Sequence, residues 1–210
     1  GSPGDASRIE AGAEIGSFYI WKFAGFDDNG EFLLYNKNGE VIPAADKDEA
    51  DKQYIGNYTP SLIVGWTHTL QYKNFDLGIN MRSWIDFDVY NTIDMYYGIQ
   101  GRGNINVLKD AYGKNNHIKG EKQVCDYYLQ DGTFLKIDAI TLGYTLDAKK
   151  LTNNFVDRIR IYGTVGNVCT FTGYDGMNPE VNTTGWDKGT EKFWEIYPMA
   201  RTYTLGMQFN

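Results

Sequence analysis

Long apolar runs are missing from this sequence. No stretch approaches the roughly 18 consecutive apolar residues that a transmembrane helix needs, and mean hydropathy is −0.46. A strand-built membrane protein is not excluded, because its short alternating segments look soluble on average. Basic charge is in the minority: 20 Lys and Arg stand against 27 Asp and Glu, for a formal net charge of −7. That argues against phosphate-backbone binding, so no nucleic-acid partner is expected. Cysteine is nearly absent. Cys125 and Cys169 lack C-x-x-C spacing and metal-site partners, and read as two unrelated thiols or, in an oxidising compartment, a disulfide. No His stands beside a nucleophile and no Gly-rich phosphate loop precedes a helix. Asp86 and Asp88 share a strand face, a spacing that recurs by chance in acidic chains. No catalytic residue, metal or cofactor is expected. Proline is scarce as well, five in 210 residues.

The chain is instead rich in Tyr (16), Gly (24) and aromatics overall (15%), a composition that favours strands and turns. The plainest pattern is FDLGINMRSWIDFDV, Phe75–Val89. Phe75, Leu77, Ile79, Met81, Ser83, Ile85, Phe87 and Val89 alternate with Asp76, Gly78, Asn80, Arg82, Trp84, Asp86 and Asp88. In a strand this makes one apolar and one polar face. Fifteen residues at about 3.3 Å each span about 50 Å, far beyond a usual soluble strand. A tilted strand crossing an apolar band fits, as does a long edge strand of a soluble sandwich.

Further strands are expected near 17–26, 61–72, 133–146, 158–168 and 199–209. The second joins Phe75–Val89 through Lys73-Asn74 alone, a tight antiparallel hairpin. Its apolar face carries His68, which suits an interface better than a metal. In 133–146 the apolar phase slips at Ala139–Ile140, as a β-bulge would make it. Polar excursions fill 27–57, 90–131 and 170–198. Asn36-Lys37-Asn38-Gly39-Glu40, with Asp46 further on, faintly resembles a calcium loop, and a solvated turn is the default. A short helix is expected near Ile105–Tyr112. The opening GSPGDASRIEAG shows no signal peptide and reads as a mature or excised start. Short turns on one side and long excursions on the other predict an all-β fold: an antiparallel transmembrane β-barrel segment with short periplasmic turns and long extracellular loops. Lys136, Arg158 and Arg160 fall on the polar face. Arg201 breaks that rule and would need an interfacial place.

Several segments match a known family. They are Tyr54-Ile55-Gly56-Asn57 with Pro60 and Gly65; Tyr72-Lys73-Asn74-Phe75-Asp76-Leu77 and Asp88-Val89-Tyr90-Asn91; Asp131-Gly132-Thr133-Phe134-Leu135-Lys136 leading into Ile140-Thr141-Leu142-Gly143-Tyr144-Thr145-Leu146; Gly166-Asn167 with Thr170-Phe171-Thr172-Gly173-Tyr174 and Asn178-Pro179-Glu180-Val181; and Tyr197-Pro198 with Arg201-Thr202-Tyr203-Thr204-Leu205-Gly206. In this order and spacing the chain resembles the C-terminal part of SusC/RagA-type TonB-dependent outer-membrane receptors of Bacteroidetes. Three positions depart: Asp147 stands where Pro often follows, Lys136 replaces a frequent Arg, and Asn210 replaces a terminal aromatic.

The resemblance implies a 22-stranded barrel with an N-terminal plug, of which this chain would hold six or seven strands. The plug and the TonB-contacting segment would lie in an absent N-terminal part. It also implies a SusD-like surface lipoprotein as lid, outer-membrane lipid around the wall, and uptake of glycans or oligopeptides driven through TonB. Trp186 and Trp194 would then either stack on sugar rings or pack within loops. The run Tyr203, Leu205, Gly206, Met207 and Phe209 resembles the signal read by the barrel-assembly machinery through β-augmentation. The competing reading is a soluble extracellular β-rich carbohydrate-binding module. A jelly-roll hydrolase is more distant, since it would need paired carboxylates in a cleft.

Overall fold

The computed structural model describes every residue except 1–5, 7, 101–104, 151, 154, 182–187 and 193–196. In chain order the strands are β1 (Ser17–Ile20), β2 (Lys22–Phe26), β3 (Phe32–Tyr35), β4 (Val41–Pro43), β5 (Gln53–Asn57), β6 (Leu62–Tyr72), β7 (Phe75–Ile85) and β8 (Asp88–Asn91). One short helix, α1 (Thr92–Tyr97), follows. Then come β9 (Leu129–Asp131), β10 (Phe134–Asp147), β11 (Arg158–Thr172), β12 (Thr190–Glu191) and β13 (Thr202–Phe209). The fold is all-β, and no helix among the described residues is long and apolar enough to cross a membrane.

The chain divides into two compact units. One comprises Leu62–Ile85, Phe134–Thr172 and Pro198–Asn210. It is a single antiparallel sheet in the order β13-β11-β10-β7-β6. Alternation builds it: Tyr72 lies opposite Phe75 and Leu62 opposite Ile85, so β6 and β7 pair along their full length. Lys73 takes φ +52° in the connecting turn. The phase slip expected at Ala139–Ile140 sits just before it. Ile137 faces Met81 and Ala139 faces Asn80, which leaves Asp138 as the extra residue. Ala139 therefore belongs with the polar face and Ile140 resumes the apolar one. The sheet is open at both edges among the described residues, so this chain does not close a barrel.

The other unit comprises Gly1–Ser61, Asp86–Thr133 and Gly173–Tyr197. The segments expected as polar excursions are here a folded body. Phe18, Ile20, Phe32, Leu34, Tyr90, Met95, Ile118, Val124, Cys125 and Tyr128 form one buried core. The expectation that 27–57 lies outside any core is thus corrected for Phe32 and Leu34, both fully buried in β3. Strands β2, β3 and β4 make an antiparallel meander. Its two turns share one device: Asp27 Oδ1 accepts from the N–H groups of Asn29 and Glu31 at 2.9 and 2.8 Å. Asn36 Oδ1 accepts from those of Asn38 and Glu40, both at 2.9 Å. The side chain thus replaces missing backbone partners in each turn.

Other boundaries differ from expectation for local reasons. Residues 17–26 are two strands in different sheets. The break is Trp21, whose N–H donates to the Val124 carbonyl at 3.3 Å and whose indole N–H donates to the Asp48 carbonyl at 2.9 Å. The Phe75–Val89 run is also two strands. Asp86 adopts φ +60° between them, and its carbonyl accepts from the Ser61 N–H at 3.1 Å. Phe87 and Val89 keep the alternation but are buried in the other unit. Asp86 and Asp88 therefore share no strand. Near Ile105–Tyr112 only a 3-10 turn forms, Lys109–Tyr112. The helix lies earlier, where the Asn91 side chain caps α1 by accepting from the Asp94 N–H at 2.9 Å. Strand β12 pairs with β8 in parallel, unlike the other ladders described.

Candidate functional site: sheet faces and terminal strand

Register assigns every side chain of the five-stranded sheet to a face. One face carries Leu62, Val64, Trp66, His68, Leu70 and Tyr72 of β6, and Phe75, Leu77, Ile79 and Met81 of β7. Ile137, Ile140, Leu142 and Tyr144 of β10 join them, with Ile159, Ile161 and Val165 of β11 and Tyr203, Leu205, Met207 and Phe209 of β13. Large apolar residues across this face are open: Leu70 is 60% exposed, Leu142 54% and Leu205 82%. An apolar face of this breadth has no stable place in water. His68 sits within it, opposite Ile79.

The opposite face carries two ion pairs. Arg160 Nε donates to Asp76 Oδ1 at 2.9 Å, and a second guanidinium N–H reaches Oδ2. Arg82 and Asp138 are 3.0 Å apart, so the bulge residue supplies an ion partner. Thr67 bonds Asn80 at 3.0 Å and Thr141 bonds Thr164 at 2.9 Å. Lys136 is buried on this face. Arg201 precedes β13, is exposed, and donates to the Val168 carbonyl.

Of the residues expected to form an assembly signal, Tyr203, Leu205, Met207 and Phe209 share the apolar face, while Gly206 lies on the other, opposite Tyr162. Trp186 and Trp194 lie outside the described residues. Asn36 spends its side-chain oxygen on its own turn, as the default for that loop required. Cys125 and Cys169 are both free thiols. Cys125 is buried in the core, and burial pushes its thiol up to about 12.

Sequence reasoning missed Glu191. It is fully buried, accepts from the Tyr174 hydroxyl at 2.6 Å and the Asn178 N–H at 2.8 Å, and its carbonyl accepts from Thr92 Oγ1. Burial raises its carboxyl despite these donors. Nothing local marks it, because its partners come from separate stretches of the chain.

An antiparallel sheet with an open apolar face, an opposite face that carries ion pairs, the shorter connections at one end and the long segments at the other has the geometry of a transmembrane β-barrel wall. No family model matches the chain. The chain is 26% identical over 95% of its length to TonB-dependent receptor P3 of Formosa agariphila, and 27% identical over 98% to TonB-dependent receptor SusC of Bacteroides thetaiotaomicron. It spans 22% and 21% of those proteins' lengths. Its fold matches the RagAB peptide transporter with a TM-score of 0.74 at 22% identity, covering 92% of this chain and 22% of that one. A RagAB peptide importer in a closed-closed state matches at 0.70, with 22% identity and 92% and 23% coverage. The chain is thus similar in sequence to SusC-type TonB-dependent receptors and in fold to RagAB, and it spans about a fifth of those relatives' lengths.

Proposed function

We propose that this chain supplies C-terminal barrel wall and extracellular loops to a TonB-dependent nutrient importer of the bacterial outer membrane. The carrying observation is the open apolar face that runs across all five strands of the sheet, backed by a face that carries two ion pairs. In this reading the apolar side meets acyl chains and the polar side meets a wet lumen, within a 22-stranded barrel completed by upstream strands and a plug. The long segments form the outward end, where a SusD-like lipoprotein closes over a glycan or oligopeptide. The wall is scaffold: transport work falls to the plug, drawn by TonB, and no catalytic step is assigned. The ends of the strands support this division, because β6 to β7 and β10 to β11 turn at one end of the sheet, while the 86–133 and 173–197 segments leave from the other.

Fractionation of cells expressing the full-length protein tests this. It should remain with the outer membrane, need detergent for release, and migrate differently on gels before and after boiling, as closed barrels do. Recovery of the full-length protein as a monomer in plain buffer would defeat the proposal and favour the soluble carbohydrate-binding module.

A further inference from the structure

Alternation leaves one ambiguity in this sheet. Sliding a strand by one residue turns its apolar set to the wrong face, which the pattern forbids. Sliding by two keeps every face. Thr202, Thr204, Gly206 and Gln208 would still share the polar side, and Tyr203, Leu205, Met207 and Phe209 the apolar side. Something other than hydrophobic pattern must choose among the even registers.

One row on the polar face has the chemistry to choose. Asp76, Gly143, Tyr162 and Gly206 lie side by side on β7, β10, β11 and β13. Tyr162 thus has a glycine on each flank. A Cβ at Gly206 would fall closer than 3.0 Å to Tyr162 ring atoms. A Cβ at Gly143 would fall that close to the Asp76 carboxylate and the Arg160 guanidinium. Arg160 lies 4.8 Å from the Tyr162 ring centroid and crosses Gly143 to reach Asp76, with Nε to Oδ1 at 2.9 Å. Both glycines are therefore occupied gaps. If β13 slid by two, Thr204 or Gln208 would meet the ring. If β10 slid by two, Thr141 or Thr145 would stand in the path from Arg160 to Asp76. Either slip sets a side chain into filled space, and the second also breaks an ion pair.

We propose that the Asp76–Gly143–Tyr162–Gly206 row, with Arg160 laid across it, is the register key of the sheet and restricts the last strand to a single pairing. The inference rests on the reading of the chain as barrel wall. It gives Gly206 a partner within the chain: its bareness serves the Tyr162 ring, whereas the apolar residues around it are the part offered to the assembly machinery.

The test is disulfide trapping in the full-length receptor in its own outer membrane, with Cys169→Ala to remove the other sheet thiol. Thr164→Cys with Thr204→Cys reports the native pairing, since these residues lie opposite each other. Thr164→Cys with Thr202→Cys reports a slip of two. The parent should cross-link only the first pair. Gly206→Thr should move cross-linking toward the second by about tenfold, the scale of an overpacked contact. If Gly206→Thr blocks assembly outright, adding Tyr162→Ala should restore it with both pairs trapped. Cross-linking of Gly206→Thr in the native register, as fully as the parent, overturns the key. So does a double variant that stays unassembled while Tyr162→Ala alone assembles, because the glycine would then serve the assembly machine. A parent missing from the outer membrane would remove the wall reading itself, and that control separates the two failures.

Discussion

Glu191 shows how a single buried carboxylate holds distant segments together. Its oxygens satisfy the Tyr174 hydroxyl and the Asn178 N–H, so truncation leaves two buried donors without acceptors. Glu191→Ala should cost about 2–4 kcal/mol, while Glu191→Gln, which keeps an acceptor, should cost much less. Protease resistance of the 173–197 segment in the full-length receptor would separate the two. The same residue takes part in a pH effect. Burial raises the carboxyls of Glu191, Asp88, Asp94 and Asp126 above their ordinary values. A raised acid binds its proton more tightly folded than unfolded, so its stabilisation is full below the unfolded value and is lost as pH rises through the folded one. Asp27 and Asp51 are lowered by backbone N–H donors, and their contribution is lost only as pH falls below 3.8 toward their folded values. The unit containing all six groups should therefore gain resistance to proteolysis as pH falls from neutrality toward the ordinary carboxyl values and lose it below 3.8. A resistance that falls steadily over that whole descent would contradict this assignment of raised carboxyls.

At the scale of elements, the Asp138 bulge explains a discontinuity that alternation alone exposes. Leu135 and Ile137 precede it on the apolar face, and Ile140, Leu142 and Tyr144 follow on the same face because one residue is set aside. Deleting Asp138 should leave those five facing the same way and cost mainly one ion pair to Arg82, about 0.5–1 kcal/mol for a partly exposed pair. Deleting Thr141 should send Leu142 and Tyr144 to the polar side and prevent assembly. Gel mobility before and after boiling would report both outcomes, and equal behaviour of the two deletions would refute the bulge assignment. The sheet was legible in advance because alternation is local: β6, β7, β10, β11 and β13 each carry their own pattern. The core of the other unit was not. Phe32 and Leu34 lie in a four-residue strand between polar turns, and what buries them, Tyr128 and its neighbours, lies far along the chain. Phe87 and Val89 show a subtler failure. They continue the alternation of β7 past Asp86, and no period can reveal that the chain has changed sheets there. The tryptophans chosen for ligand stacking, Trp186 and Trp194, lie outside the described residues, whereas Tyr203–Phe209 could be placed because a terminal strand needs only its neighbour's register.

Across the whole molecule, two ways of disposing of apolar side chains are interleaved in one chain. In the unit built from Gly1–Ser61, Asp86–Thr133 and Gly173–Tyr197, aromatic and aliphatic residues face one another: Phe32 has Phe23 and Phe26 rings at 5.9 and 4.8 Å. In the five-stranded sheet most of the aliphatic and aromatic residues lie on the open face, with Trp84, Phe134 and Tyr162 among those on the other. The first arrangement needs only water outside; the second needs an apolar solvent or more protein. A pair of neighbouring substitutions distinguishes these demands. Leu142→Arg puts a guanidinium on the open apolar face, and near a bilayer midplane that costs about 2–4 kcal/mol. Thr141→Arg puts the same group one residue away on the polar face, where the proposed wet lumen would accept it at little cost, apart from the lost hydrogen bond to Thr164. Denaturant titrations of the full-length receptor refolded in bilayers should therefore show a large loss for position 142 and a small one for 141. Phe32→Ala should behave differently from both, costing about 3–5 kcal/mol through a cavity in the other unit, read as local protease sensitivity rather than barrel unfolding. Equal losses for Leu142→Arg and Thr141→Arg would mean that both faces of the sheet meet the same surroundings. A membrane wall has two unlike sides, so that result would leave the open face without acyl chains to cover it.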